Sequence, residues 1–250
     1  MDYKNSVLKI IKENIDLIEK NDFDSLYQAV ADEYLDSRVV GMLSTILIQS
    51  GIDPLEVAKP VENMFFECEN LTAATIPNTV AHLPKAMFSA SALKNIVLGP
   101  SIDSIDDRVF MYCDDLTFAD LSRTRIKYLF FMTFTDCSKL ETVLLPDTLE
   151  YIYSLNFSGC ESLSNIILPD SLKSIGEQAF HKCTELKELN IPQSLNKIKK
   201  RAFSLSGITR LNYGGTKAQW RDIVKEREWH ASSAISEIHC SDGVIKINVT

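Results

Sequence analysis

The stretch FTDCSKLETVLLPDTLEYI (134–152) is restated by FSGCESLSNIILPDSLKSI (157–175) and again by FHKCTELKELNIPQSLNKI (180–198). Phe134, Phe157, Phe180 and Phe203 stand 23 residues apart, and each of the first three is followed at +3 by Cys, at +6 by Leu and at +12 by Pro. Self-similarity at such a period means a chain that coils. One coil cannot bury its own apolar face, so stability must come from stacking the next coil on it. Outward from this block the anchor Phe recurs at Phe65, Phe88 and Phe110, which sets the coils between residues 61 and 213.

Each coil carries a short extended segment just before the Pro position: LKNIVL, LTFADL, LETVLL, LSNIIL, LKELNI and ITRLNY. Alternation turns Ile96, Ala119, Val143, Ile166 and Leu189 inward and leaves their neighbours facing out. Stacked coils would align these segments into one parallel sheet. The return half, as in SLKSIGEQAF, is read as turn or short helix. Cys68, Cys113, Cys137, Cys160 and Cys183 all lie three residues after an anchor Phe. Equivalent positions stack, so these thiols read as small buried hydrophobes. Cys-x-x-Cys or Cys/His pairs at ligand spacing, which a metal site needs, do not occur.

A period of 20–29 residues with Leu and Ile at set offsets is a leucine-rich repeat. The block LPDSLKSIGEQAFHKCTELKELNIPQSL resembles the BspA-like leucine-rich repeat family, whose pattern is close to LPxSLxxIGxxAFxxCxxLxxIxIP. The likeness covers roughly 62–213 and is most specific from 134 to 203. The tail, YGGTKAQWRDIV then IHCSDGVIKI, is similar to a C-terminal segment of such proteins. The expected fold is therefore an α/β leucine-rich repeat solenoid with a parallel β-sheet on its concave face. The resemblance implies protein binding, as an adhesin on a cell surface or as an intracellular binder from a bacterium or phage that blocks a host protein.

The ends read as caps. Residues 1–60 form a helical unit. Val7, Leu8, Ile11, Ile15 and Ile18 make one helical stripe, and Phe23, Leu26, Tyr27, Val30 and Tyr34 a second. Val40, Leu43 and Leu47 belong to a third helix that stops at Gly51, and Asp53-Pro54-Leu55-Glu56 opens a last turn. Residues 214–250 form the other cap. There Thr216 and Gln219 make a capping box for a helix bearing Trp220, Ile223 and Val224, followed by a hairpin that turns at Asp242-Gly243. Trp220 and Trp229 are expected over the last coil. The opening MDYKNSVLKI holds no apolar signal core and the closing INVT no anchoring motif, so the expected setting is cytoplasmic.

No nucleophile elbow, phosphate loop, metal-ligand pair or paired carboxylate motif is present in the sequence. His82, His181, His230 and His239 form no sequence cluster. The chain is thus read as a non-enzyme with no catalytic residues, no metal and no cofactor, whose function lies in surface. The outward strand positions include Val97, Phe118, Asp120, Leu144, Ile167, Glu188, Asn190 and Arg210. Val97, Phe118, Leu144 and Ile167 read as an apolar stripe rimmed by polar Glu188, Asn190 and Arg210, the mark of a protein-binding face. Apolar residues also favour strands for their own sake. The coil from 110 to 134 breaks the pattern with LSRTRIKYLFFM, which places Arg123, Arg125 and Lys127 in an irregular turn. With Lys197, Lys199, Lys200 and Arg201 these form a basic patch, and the 194–230 segment offers a second reading, a site for nucleic acid or another acidic ligand. The formal net charge of −8 opposes general attraction to nucleic acid or anionic membrane.

Overall fold

The structure, a computed structural model, describes residues 22–33, 41, 43–45, 47–48, 54–57 and 60–247. The expected first helix, Val40 and Gly51 lie outside the described residues. Helix α1 spans Phe23–Glu33 and buries Phe23, Leu26 and Tyr27, three of the residues its spacing assigned inward; Tyr34 of the same stripe lies outside the described residues. Residues 43–45 and 47–48 are also helical and bury Leu43 and Leu47. A single turn, α2 (Pro54–Val57), adds Leu55. These side chains share one hydrophobic core with Met64 and Phe65 of the first coil. The join is close: a Cβ on Gly41 would stand 1.9 Å from the carbonyl oxygen of Phe66. Tyr27 and Ser44 hydroxyls bond each other, and Ser44 donates to the Met64 carbonyl, so the buried polar groups at the join are paired.

From Phe88 onward each coil contributes two short strands, the first coil giving only one, and stacking arranges them as two parallel ladders. The first ladder is the expected sheet. It runs through β2 (Asn95–Val97), β4 (Phe118–Asp120), β6 (Thr142–Leu144) and β8 (Asn165–Ile166), then resumes with β10 (Glu188–Ile191), β12 (Arg210–Tyr213) and β14 (Glu237–Cys240). The second ladder corrects the reading of the return half as turn or helix. It comprises β1 (His82–Leu83) with β3 (Ser104–Ile105), then β5 (Tyr128–Leu129), β7 (Tyr151–Ile152), β9 (Ser174–Ile175), β11 (Lys197–Ile198) and β13 (Val224–Lys225). Segments of two residues are too short for periodicity to reveal; what makes them strands is the neighbour one coil away.

The third side of each coil is the Phe turn. Its backbone takes positive φ two residues before and two after the anchor, as at Met132 and Asp136 around Phe134 or Gln178 and Lys182 around Phe180. Such residues cost about 1–2 kcal/mol each in the left-handed region. Hydrogen bonds to the next coil hold them there: Phe134 N–H donates to Asn156 and Asp136 N–H to Ser158, at 2.9 and 2.7 Å. The anchor rings stack from Phe65 to Phe203 with centroids 5.1–5.8 Å apart, and Trp229 closes the stack edge-on to Phe203 at 5.9 Å.

Cys68, Cys113, Cys137, Cys160 and Cys183 follow the same ladder, Cys240 stands apart in β14, and all six are free thiols. Cys113, Cys137, Cys160 and Cys183 donate S–H to the carbonyls of Phe88, Phe110, Phe134 and Phe157 in the preceding coil, at 2.9–3.1 Å. A thiol here fills apolar space and also ties two coils together. Burial pushes the Cys113 thiol up to about 12, and burial raises Cys137, Cys160 and Cys183 as well. Thiolate chemistry is therefore suppressed along the ladder.

At the C-terminal end, α3 (Lys217–Asp222) starts with the capping box read from Thr216 and Gln219. It buries Trp220, which packs 6.0 Å from Trp229. Val224 is not part of that helix; it is exposed in β13, pairing with Lys197. The hairpin forms between β14 and β15 (Gly243–Lys246), and Cys240 pairs with Gly243, so its turn residues are Ser241 and Asp242 rather than Asp242 and Gly243. β14 adds in parallel to β12, and the antiparallel β15 follows it.

Candidate functional site

Outward residues of the first ladder form two columns. Asn95, Phe118 and Thr142 align with Asn165 in one, and Val97, Asp120 and Leu144 in the other, with Ile167 directly after β8. The four apolar residues expected in one stripe are thus divided. Asp120 separates Val97 from Leu144, and Phe118 stands in the neighbouring column, half-buried. Asp120 is itself engaged, its carboxylate accepting from the N–H and hydroxyl of Ser122. Alternation predicts which residues face out but cannot say which outward residues share a column when coil lengths differ. Val97 (54%), Leu144 (36%) and Ile167 (68%) are exposed.

The first ladder divides between β8 and β10. An open groove of about 510 Å³ lies across this division, lined by Ile167, Leu168 and Asp170 on one side and Asn190, Ile191 and Pro192 on the other. Beyond it the surface is polar and self-paired. Arg210 bonds Glu188 at 3.2 Å, and Asn212 donates to Asn190 at 3.1 Å. The groove itself is lined by apolar Ile167 and Leu168 and by polar Asn190 and Asn212, while Leu144, Glu188 and Arg210 are not among its lining residues.

The basic patch is dispersed. Arg123 and Arg125 are exposed on the irregular turn, whose Thr124 is buried and bonds the Leu121 carbonyl. Lys127 lies 3.8 Å from Glu150. Further along, coil neighbours neutralise the cations: Lys197 pairs with Glu226 at 3.1 Å and Arg201 with Glu228 at 2.8 Å. The N–H of Lys200 and the Lys197 ammonium hold the Glu226 carboxyl below its ordinary value. Lys225 turns inward to the carbonyls of Trp220 and Ile223 and over the Trp220 ring, and its desolvation lowers its pKa. These pairings, about one coil apart in sequence, occupy part of the segment's cations, and Arg210 is paired with Glu188 outside it. They weaken the nucleic-acid reading.

The irregular coil carries a feature that sequence reasoning passed over. Tyr128 stacks on Tyr151 at 5.4 Å and Phe130 on Tyr153 at 5.6 Å, forming a four-ring cluster on the outer face of the second ladder. The signal was available, since each pair is 23 residues apart. Beneath the cluster the buried Asn156 amide donates to the carbonyls of Leu129, Phe130 and Tyr153, pinning the aberrant coil to the regular one. Among the described residues no group of three or more His, Cys, Asp or Glu is placed to hold a metal ion, and no helix is long and apolar enough to cross a membrane.

With two ladders and a Phe–Cys wall in place, the comparison with known proteins is direct. The profile of the BspA type leucine-rich repeat region matches residues 48–117 and 121–224, in six copies. The chain belongs to that family. Its profile lapses only at 118–120 inside this span, which is β4 of the irregular coil. Among solved structures it is similar to a leucine-rich repeat protein from Bacteroides ovatus, with 22% identity and a TM-score of 0.63 over 73% of this chain and 46% of that one. It is also similar to one from Eubacterium ventriosum, with 28% identity and a TM-score of 0.55 over 59% of this chain and 40% of the other. The chain thus spans less than half the length of these relatives. No curated protein matches it.

Proposed function

We propose that this solenoid binds another protein through the outer face of its first ladder, centred on Leu144, Ile167 and the groove where β8 and β10 part. The family points to an interaction or adhesin-like role, and the reading goes beyond that in naming the face. One observation carries it: Ile167 is the most exposed large apolar residue among those described, and it stands at the edge of an open groove with polar groups on the far side. An apolar centre with a polar rim is the anatomy of a protein interface. Phe118, half-buried in the adjacent column, and Val97 extend the surface, with Glu188, Asn190 and Arg210 as its rim. The proposed setting is the cytoplasm of a bacterium, with a host protein as the target.

The test is capture from native cells by proximity labelling, using Leu144→Asp with Ile167→Asp. A charge at the centre of an apolar contact should remove the specific partners, a loss of about tenfold or more. An unchanged partner set from a folded double variant sinks this face. Cell fractionation separates the intracellular binder from an adhesin, since an adhesin would be found outside the cell.

A further inference from the structure

The outer face of the second ladder carries a slot that the first does not. Its register runs Tyr128, Tyr151, Ser174, Lys197 from coil to coil. Two aromatic rungs are followed by a serine and then a lysine. The column beside it runs Phe130, Tyr153, Gly176, Lys199, again two rings, a small residue and a lysine. Gly176 has to be small: a Cβ there would stand 2.4 Å from the backbone of Tyr153. Gly176 is buried there and does not line the cleft of about 270 Å³ beside it, which has Tyr151 and Tyr153 on one wall, Ser174 between, and Asn196, Lys197 and Lys199 on the other.

Its dimensions are those of a ring. Strands in a ladder lie about 4.8 Å apart, so the walls of one omitted rung stand about 9.6 Å from each other. The rings already present repeat at 5.4 and 5.6 Å, so one more aromatic ring would take the empty position and continue the stack. Lys173 leans over Tyr151 at 5.9 Å and is held by Glu150, which leaves the face of Tyr153 as the open one. Among the cations, Lys197 is paired with Glu226, whereas Lys199 has no carboxylate within ion-pair distance among the described residues.

We propose that this cleft is a second binding site, which takes an aromatic side chain from a partner protein in a segment that places a carboxylate beside that ring. The ring stacks on Tyr153 and the carboxylate meets Lys199. A single rung admits one ring, whereas a nucleic-acid strand is held by successive stacked bases and by a surplus of cations. Glu150 and Glu226 at the cleft, and the net charge of −8, remove that surplus.

The probe is a short labelled peptide with one tryptophan flanked by aspartates, titrated against the full chain by fluorescence anisotropy. Saturable binding is expected, weakened about tenfold by Ser174→Phe, which fills the slot, and about three- to tenfold by Lys199→Ala. Replacing the tryptophan by alanine in the peptide should abolish it. Circular dichroism on both variants reports folding, and Lys199→Ala, a surface truncation, keeps the test valid if Ser174→Phe unfolds. Absence of saturable binding overturns the proposal, as does binding that neither variant alters. Tighter retention of a single-stranded oligothymidylate, lost in the same variants, overturns it in favour of nucleic acid. Leu144→Asp with Ile167→Asp should leave the peptide affinity unchanged, so failure here and failure of the first-ladder face are separate results.

Discussion

Aromatic rings stack along this solenoid in two settings, one buried and one at the surface. The Phe stack from Phe65 to Phe203 is filled at every coil and wholly buried. The Tyr128–Tyr151 and Phe130–Tyr153 stacks lie on the surface and stop after two rungs, at Ser174 and Gly176. Coiling imposes the same spacing on both. A filled column is core, because each ring removes its neighbour's faces from water. An interrupted column leaves one ring face uncovered and a rung's width beside it. In a repeat protein the places to seek binding are therefore the columns that begin and do not finish.

The sharpest way to break this contrast is to remove a rung from the filled stack. Phe157→Ala opens a cavity between Phe134 and Phe180 in a site with no exposure, and should destabilise by about 3–5 kcal/mol. Urea denaturation followed by circular dichroism measures it. A cost below about 1 kcal/mol would mean that the coils do not depend on the stack.

The cysteine ladder sharpens the same point through pH. Each ladder thiol has a folded pKa raised by burial above the unfolded value of about 8.5. A raised pKa means that the folded chain holds the proton more tightly. The associated stability is complete below about pH 8.5 and is lost as pH rises toward the folded value, about 12 for Cys113. In that window each thiol lowers stability by up to about 1.4 kcal/mol per pH unit. Urea midpoints between pH 8 and 11 should fall steeply, and Cys113→Ala should make the fall shallower. A pH-independent midpoint would show that the thiols are not sealed from water.

These elements were also the ones legible in the sequence. Phe134, Cys137, Leu140 and Pro146 recur because stacking demands the same residue at the same place, and a demand repeated every 23 residues can be read without coordinates. Thr216 and Gln219 were legible for another reason, since a capping box is local. What could not be read depends on pairs one coil apart. Strands as short as Ser174–Ile175 exist only because Tyr151–Ile152 lies beside them. The division of Val97 and Phe118 into separate columns follows from strand register. Which carboxylate lies against Lys197 is likewise set by stacking, although a charge count along the chain already includes Glu226. The candidate site was legible in its outward residues, and not in which of them touch.

Gly176 tests the edge of the slot. The regular repeat pattern has Gly at this position, although its neighbours in the column carry large side chains. Here the Tyr153 and Ser154 backbone lies 2.4–2.6 Å from where a Cβ would be. Gly176→Ala should therefore cost about 1–3 kcal/mol through local displacement of β9. A neutral result in denaturation would show that the coil has room to move apart, and that the omitted rung is not held open by close backbone approach.

The smallest effect is the most discriminating. Tyr128 is 38% exposed and stacks on one face only of Tyr151, so Tyr128→Ala should cost roughly 0.5–1.5 kcal/mol, the worth of an aromatic pair beyond burial. Tyr153→Ala should fall in the same range, because Phe130 alone stacks on it at 5.6 Å while Tyr128 and Tyr151 lie farther off, at 6.1 and 6.4 Å. Both should sit well below Phe157→Ala in the same assay. If Tyr153→Ala proves as costly as removal of a buried phenylalanine, then the surface stack is core by another name and its free face has nothing to offer a ligand. If it is cheap, a ring has been kept at the surface at little benefit to the fold, and selection for binding is the remaining reason for a tyrosine where the regular coil places Gly176.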